Sequence, residues 1–234
     1  MERNNYFARS ASSAVKSYSF PMIRKLLLAA LIAVPICYYF ALIVGAATYP
    51  GYSHVTRYAS ELGAADAPYP ELFNVPIIIG GVAAVLASIG VVAALRDLSG
   101  CWLWAGSAGV ALACWGASMV LGGMFPMPDE RHGGFGLGLA GPLVPLFALL
   151  AIRKLPGAKG MKLFLGFIFV GSVIVLAIMF GVGHLVTRRN VGIWQRINTG
   201  ISIPWFAVLG AWLLKRDANT QRVPHLAITG PRPR

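Results

Sequence analysis

A six-span, all-α transmembrane helical bundle with both termini in the cytoplasm is the fold this sequence predicts. Three observations lead there. Hydrophobic residues make up 57% of the 234 and are gathered into long runs. Charged residues make up only 12%, about half the share of an average soluble domain. The runs are also continuous, without the period-two alternation of a membrane β-barrel. A run of about 20 apolar residues crosses a hydrocarbon core roughly 30 Å thick. Lipid offers the backbone no hydrogen bonds, so helices are what such runs must form.

The spans follow in order. Leu26–Thr48 is too long for the apolar core of a signal peptide and reads as a retained span. Leu72–Leu95 and Trp102–Phe125 are the second and third spans. Gly133–Ile152 contains Pro142 and Pro145, and Leu163–Val186 and Ile197–Leu214 complete the set. Pro35, Pro142, Pro145 and Pro204 lie inside these runs, where proline is expected to bend a membrane helix rather than break it. Residues 1–25 then form an N-terminal tail, 26–214 the six-span domain and 215–234 a C-terminal tail. Both tails, Glu2 to Ser19 and Ala218 to Arg234, have the composition of disordered chain.

Fifteen of the twenty Lys and Arg fall in the tails, at Arg96 and in the loop carrying Arg153, Lys154, Lys159 and Lys162. Positive loops stay in the cytoplasm, which places both termini there and predicts a multi-pass protein of a bacterial inner membrane. The net charge of +12 and pI near 10.1 would suit a nucleic-acid partner on a folded soluble domain. Spread over loops beside apolar spans, they argue for topology and membrane lipid instead, and for no nucleic acid. Cys37, Cys101 and Cys114 lie within or at the edge of apolar runs, and no CxxC pair is present.

Small residues four apart, Gly80, Ala84 and Ser88, then Gly109, Ala113 and Ala117, then Gly134 and Gly138, mark seams where helices or subunits can approach closely. Homo- or hetero-oligomers could form through them. Trp102, Trp104, Trp194, Trp205, Trp212 and Tyr49, Tyr52, Tyr58 and Tyr69 fall mostly near span ends, the level of the head groups.

Most of the polar residues that need explaining fall on the extracytoplasmic side. Between spans 1 and 2, Ser53 can start and Gly63 can end a short helix presenting His54, Arg57, Tyr58 and Glu61 on one face. The next outer loop carries Asp129 and His132 into span 4, with Asp129 placed to cap it. His184 lies inside the fifth apolar run, one turn from Arg188, and ionisable residues there are functional candidates. Arg188, Arg189 and Arg196 give the last outer loop a charge that opposes the topology bias. Pairing with outer carboxylates such as Glu61 would account for it, and so would an anionic head group, held by Arg57, Arg188 and Arg189. Convergence of His54, Asp129, His132 and His184 on a metal would instead suit a membrane hydrolase or transferase acting on lipid. No Asp, Glu, Lys or Arg lies at midspan, which argues against an ion-coupled carrier.

Tyr58-Ala59-Ser60-Glu61-Leu62-Gly63 with Pro70 and Leu72-Phe73-Asn74, then Gly122-Gly123-Met124-Phe125-Pro126 leading to His132, then Gln195-Arg196 before the last span, resemble a family of bacterial and archaeal membrane proteins known as domain of unknown function 998. The Ser-acid-Leu-Gly, Pro and Phe pattern is more distantly similar to DRAM-type proteins and GPI-anchor lipid-remodelling proteins. The first resemblance implies a six-span bundle with recurring polar residues outside, at Ser60, Glu61, Gly63, Phe125, Pro126, His132 and Arg196. The second favours a lipid-handling role.

Together these readings predict a pocket built around Ser60, Glu61, His132, His184 and Arg196 that engages a lipid or other anionic amphiphile. The alternatives are the metal-dependent enzyme and an accessory protein in which the same residues form only structural ion pairs.

Overall fold

A computed structural model describes the backbone of residues 3–228 and the side chains of residues 22–218. Its helices are α1 (Arg3–Ala47), α2 (Glu71–Ser99), α3 (Trp102–Met124), α4 (Leu143–Ile152), α5 (Lys159–Met179), α6 (Val191–Ser202) and α7 (Trp205–Ile228). Short 3-10 helices occupy Ala59–Gly63, Glu130–Ala140 and Val182–His184, and no strand occurs among the described residues. The expectation of disordered tails falls almost wholly on residues whose side chains lie outside the described set.

Six segments are long and apolar enough to cross a membrane: Met22–Ala47, Glu71–Ser99, Trp102–Met124, Glu130–Ile152, Lys159–Met179 and Val191–Ala218. The chain is thus an all-α, multi-pass membrane protein. An even number of crossings leaves the α2–α3 and α4–α5 turns at the end of the bundle that carries both termini. The α1–α2, α3–α4 and α5–α6 connections meet at the opposite end, here called the far end.

α1 packs on α2, α2 on α3, α3 on α4, α4 on α5 and α5 on α6, while α7 returns against α1 and α2. Leu28, Leu31, Val91, Leu112, Phe206 and Leu209 fill the interior with almost no exposed surface. Ile36, Phe40, Leu86, Leu103, Val110 and Phe167 point outward, as lipid-facing side chains should. Lipid is as apolar as leucine, so close fit rather than removal of apolar surface from water must hold the helices together. The α2–α3 crossing shows that fit. A Cβ on Gly81 would stand 2.6 Å from the carbonyl oxygen of Gly116, and one on Gly116 would stand 2.8 Å from that of Gly81. On α3 the seam follows Gly109 and Gly116 rather than Ala113 and Ala117, which are only half-buried.

At the termini end, Arg24 of α1 reaches Asp97 of α2 at 2.5 Å and also pairs with Asp217 of α7, whose residue surface is 5% exposed. This charge cluster joins the first, second and last spans, and the sequence pattern did not single it out.

Three expected spans are not continuous helices. Gly134, Phe135 and Gly136 have φ of 58°, 52° and 77°, so the far-end half of span 4 is wound as irregular 3-10 turns and α4 starts only after Pro142. The two glycines reach the left-handed region without a Cβ penalty, and they flank the Phe that has to follow them there. Span 5 likewise stops at Met179, because Gly181, Gly183 and His184 have φ of 99°, 76° and 54°. In span 6, Pro204 sits in a break between α6 and α7 instead of a bend within one helix.

Candidate functional site

A cavity of about 240 Å³ opens at the far end where α1, α2, α3 and α6 meet the first far-end loop and the broken part of span 4. Tyr38, Phe73, Ile77 and Trp115 supply its apolar walls. Its polar wall comes chiefly from α6, where Gln195, Asn198, Thr199 and Ser202 all line the space. Their spacing of i, i+3, i+4 and i+7 is one face of a helix. Ser60, Ser118 and His132 complete it from the other side. None of the lining residues is Asp, Glu, Lys or Arg.

Local chemistry fixes each contributor. The first far-end loop makes no helix at Ser53. The Ser53 hydroxyl instead accepts from the backbone N–H groups of Val55 and Thr56, both at 3.3 Å, in a tight turn. Helical winding starts only at Ala59. The Glu61 carboxylate accepts from the Tyr58 N–H at 2.7 Å and stands 3.6 Å from the Arg57 guanidinium, so it closes its own turn. Asn74 of α2 donates to the Gly63 carbonyl at 2.8 Å and anchors the end of that turn.

Arg196 and Gln195 hold the loop to α6. One Arg196 amino group donates to the carbonyl of Arg57 at 2.8 Å and to Gln195 Oε1 at 3.0 Å. Its other amino group donates to the Tyr52 hydroxyl and, at 3.4 Å, to His54 Nδ1. The Tyr52 hydroxyl in turn donates to the Tyr58 carbonyl at 2.9 Å. Burial, and then the Arg196 charge, push His54 below its ordinary pKa, which suits a ring nitrogen that accepts. Gln195 Oε1 also accepts from the Ala59 N–H at 2.5 Å. Arg196 is therefore committed to the loop and does not line the cavity.

The remaining candidates separate. Asp129 caps Glu130–Ala140 by accepting from the Arg131 N–H at 2.8 Å, and it holds the Arg131 side chain at 2.9 and 2.7 Å. Those Arg131 hydrogen bonds lower its pKa to about 2. His132 turns its Nδ1 toward the carbonyls of Gly122 and Phe125, both at 3.0 Å. His184, expected within a helix facing Arg188, lies exposed in the α5–α6 connection with Arg188 and Arg189. Among the described residues, no group of three or more His, Cys, Asp or Glu is placed to hold a metal ion. The structure thus brings Ser60 and His132 together, sets Glu61 and Arg196 in the adjoining scaffold, and leaves His184, Arg188 and Arg189 apart.

A pH dependence follows from Asp129. Its folded pKa is depressed below the unfolded value of about 3.9, so its stabilising share is complete above that value and is lost as pH falls towards about 2. Asp129→Asn should abolish that acid-limb loss; an unchanged acid limb in thermal unfolding from pH 5 to 2 would count against the cap.

A family model described as "Protein of unknown function (DUF998)" matches residues 31–212. No curated protein and no solved structure matches the chain.

Proposed function

This chain belongs to the DUF998 family, and from that premise we propose that it holds a membrane lipid by its head group in the far-end cavity. The observation that carries the reading is the face of Gln195, Asn198, Thr199 and Ser202 turned onto an open space. Polar side chains in a membrane helix are costly unless they meet a partner. The cavity volume of about 240 Å³ lies just below the roughly 300–1,000 Å³ of pockets that enclose whole small ligands. It suits a head group whose chains remain in the bilayer. With both termini cytoplasmic, the charge distribution of the loops would place the cavity on the outer side of a bacterial inner membrane.

The metal-dependent hydrolase or transferase has less support, because His54, Asp129 and His184 are engaged or placed elsewhere. An accessory protein is favoured only by the structural pairings of Glu61 and Arg196.

Gly122 offers the test. A Cβ there meets nothing closer than the His132 carbonyl at 3.5 Å, so Gly122→Leu puts a side chain into the cavity without a backbone clash. Wild-type protein purified in mild detergent should retain one lipid class enriched over the bulk membrane by mass spectrometry. Gly122→Leu should lose that enrichment while keeping its unfolding temperature. Retained lipid that mirrors the bulk membrane in the wild type would overturn the proposal.

A further inference from the structure

The geometry points to an uncharged, hydroxyl-bearing head group as the occupant of the far-end cavity, with His132 Nε2 as the acceptor of its hydroxyl proton. This rests on the lipid-binding reading and goes further by naming the ligand class.

Where each cavity proton goes decides the matter. A carbonyl oxygen only accepts, so the two carbonyls 3.0 Å from His132 Nδ1 place the single proton of the neutral ring on that nitrogen. Nε2 is left with a lone pair and has no hydrogen-bond partner among the described residues. Of the five hydroxyls around the same space, those of Ser60, Ser118 and Thr199 have spent their protons too, while Tyr38 and Ser202 complete the set. Ser118 donates to the Trp115 carbonyl at 2.7 Å, Thr199 to the Arg196 carbonyl at 3.3 Å and Ser60 to the Met127 sulfur at 3.3 Å. Ser118 and Thr199 make the backward bonds that such residues commonly make within helices. Each of these three hydroxyls then offers the cavity lone pairs only.

Phosphate and carboxylate oxygens also only accept when ionised, so they find no use for these acceptors, and no Lys or Arg lines the space to offset their charge. The guanidinium that could offset an anion, Arg196, is turned onto the far-end loop. An ammonium head group would supply protons, yet no carboxylate lines the space to balance its charge. A hydroxyl satisfies both demands. Its proton goes to an acceptor such as His132 Nε2, while its oxygen can accept from the Asn198 amide or from the Gln195 amide, whose oxygen is already taken by Ala59 and Arg196. Diacylglycerol is the simplest membrane lipid of this class.

Three lipids with identical acyl chains test the assignment: dioleoylglycerol, its 3-O-methyl ether and dioleoyl phosphatidic acid. Binding of each to the full chain in detergent micelles is read by native mass spectrometry. The expected result is saturable binding of dioleoylglycerol, about tenfold weaker binding of the ether, which has lost only the donor proton, and weaker binding still of phosphatidic acid. His132→Phe should reduce dioleoylglycerol binding to the level of the ether, with its unfolding temperature checked in parallel. The ligand assignment fails if ether and alcohol bind alike or if phosphatidic acid binds best, and lipid binding itself survives either outcome. Saturable binding of none of the three removes the lipid-binding reading and this assignment together.

Discussion

Arg196→Ala should lower the unfolding temperature of the purified protein by roughly 5–15 °C, the equivalent of about 2–4 kcal/mol. The guanidinium joins α6 to a loop more than a hundred residues away in sequence, bonding the Arg57 carbonyl, the Tyr52 hydroxyl and Gln195 Oε1. Truncation leaves the part-buried Arg57 carbonyl without its donor, and leaving such a group unsatisfied costs more than the modest gain of a typical hydrogen bond. Arg196→Lys should recover little, since an ammonium cannot reproduce a planar fork that serves two directions at once. Because the same clamp holds Ala59 and Ser60 beside the cavity, lipid retention should fall with stability. A melting curve of Arg196→Ala that overlays the wild type would show that the loop is held by something else.

Gly116→Val should be at least as damaging, by about 3 kcal/mol, since overpacking of a well-packed core costs roughly 1–3 kcal/mol and more where backbone has to move. The Cβ would stand 2.8 Å from the Gly81 carbonyl oxygen and 3.0 Å from the Val85 nitrogen. No side-chain rotamer can relieve contacts with backbone, so α2 and α3 must separate. Gly106→Ala on the same helix is the control, because a Cβ there meets nothing within 4 Å. It should leave the unfolding temperature unchanged or slightly raised. Equal losses from both substitutions would mean that glycine matters in α3 for a reason other than the close crossing.

The number of spans was legible because hydropathy averaged over a window is a property of composition, and Trp102–Met124 fell within a residue of its expected bounds. Such an average is blind to φ. Gly134, Phe135 and Gly136 are apolar enough to pass as the interior of a helix and turn left-handed nonetheless. The placement of His184 failed for the same reason: it reads as an ionisable group within a span, whereas Gly181 and Gly183 end the helix before it. Ser60 and His132 do line the cavity, but most of its wall carries no charge to mark it in the sequence. The missing signal was present as the four polar residues from Gln195 to Ser202, spaced along one face of an otherwise apolar segment. Arg24 with Asp97 and Asp217 was invisible for a different cause, since the three lie far apart in sequence and meet only when α1, α2 and α7 come together.

The adjacency of α1 and α7 also bears on how the molecule is made. A ribosome delivers the first span long before the last, so the face of α1 that carries Leu28, Leu31 and Arg24 must wait in the bilayer without its final neighbour. During that interval Arg24 would have Asp97 but not Asp217 to pair with. Docking of α7 on α1 and α2 would then be the step that supplies both the missing neighbour and the second carboxylate. Nascent chains stalled before Trp205 would display that unfilled face to insertion chaperones and quality-control proteases.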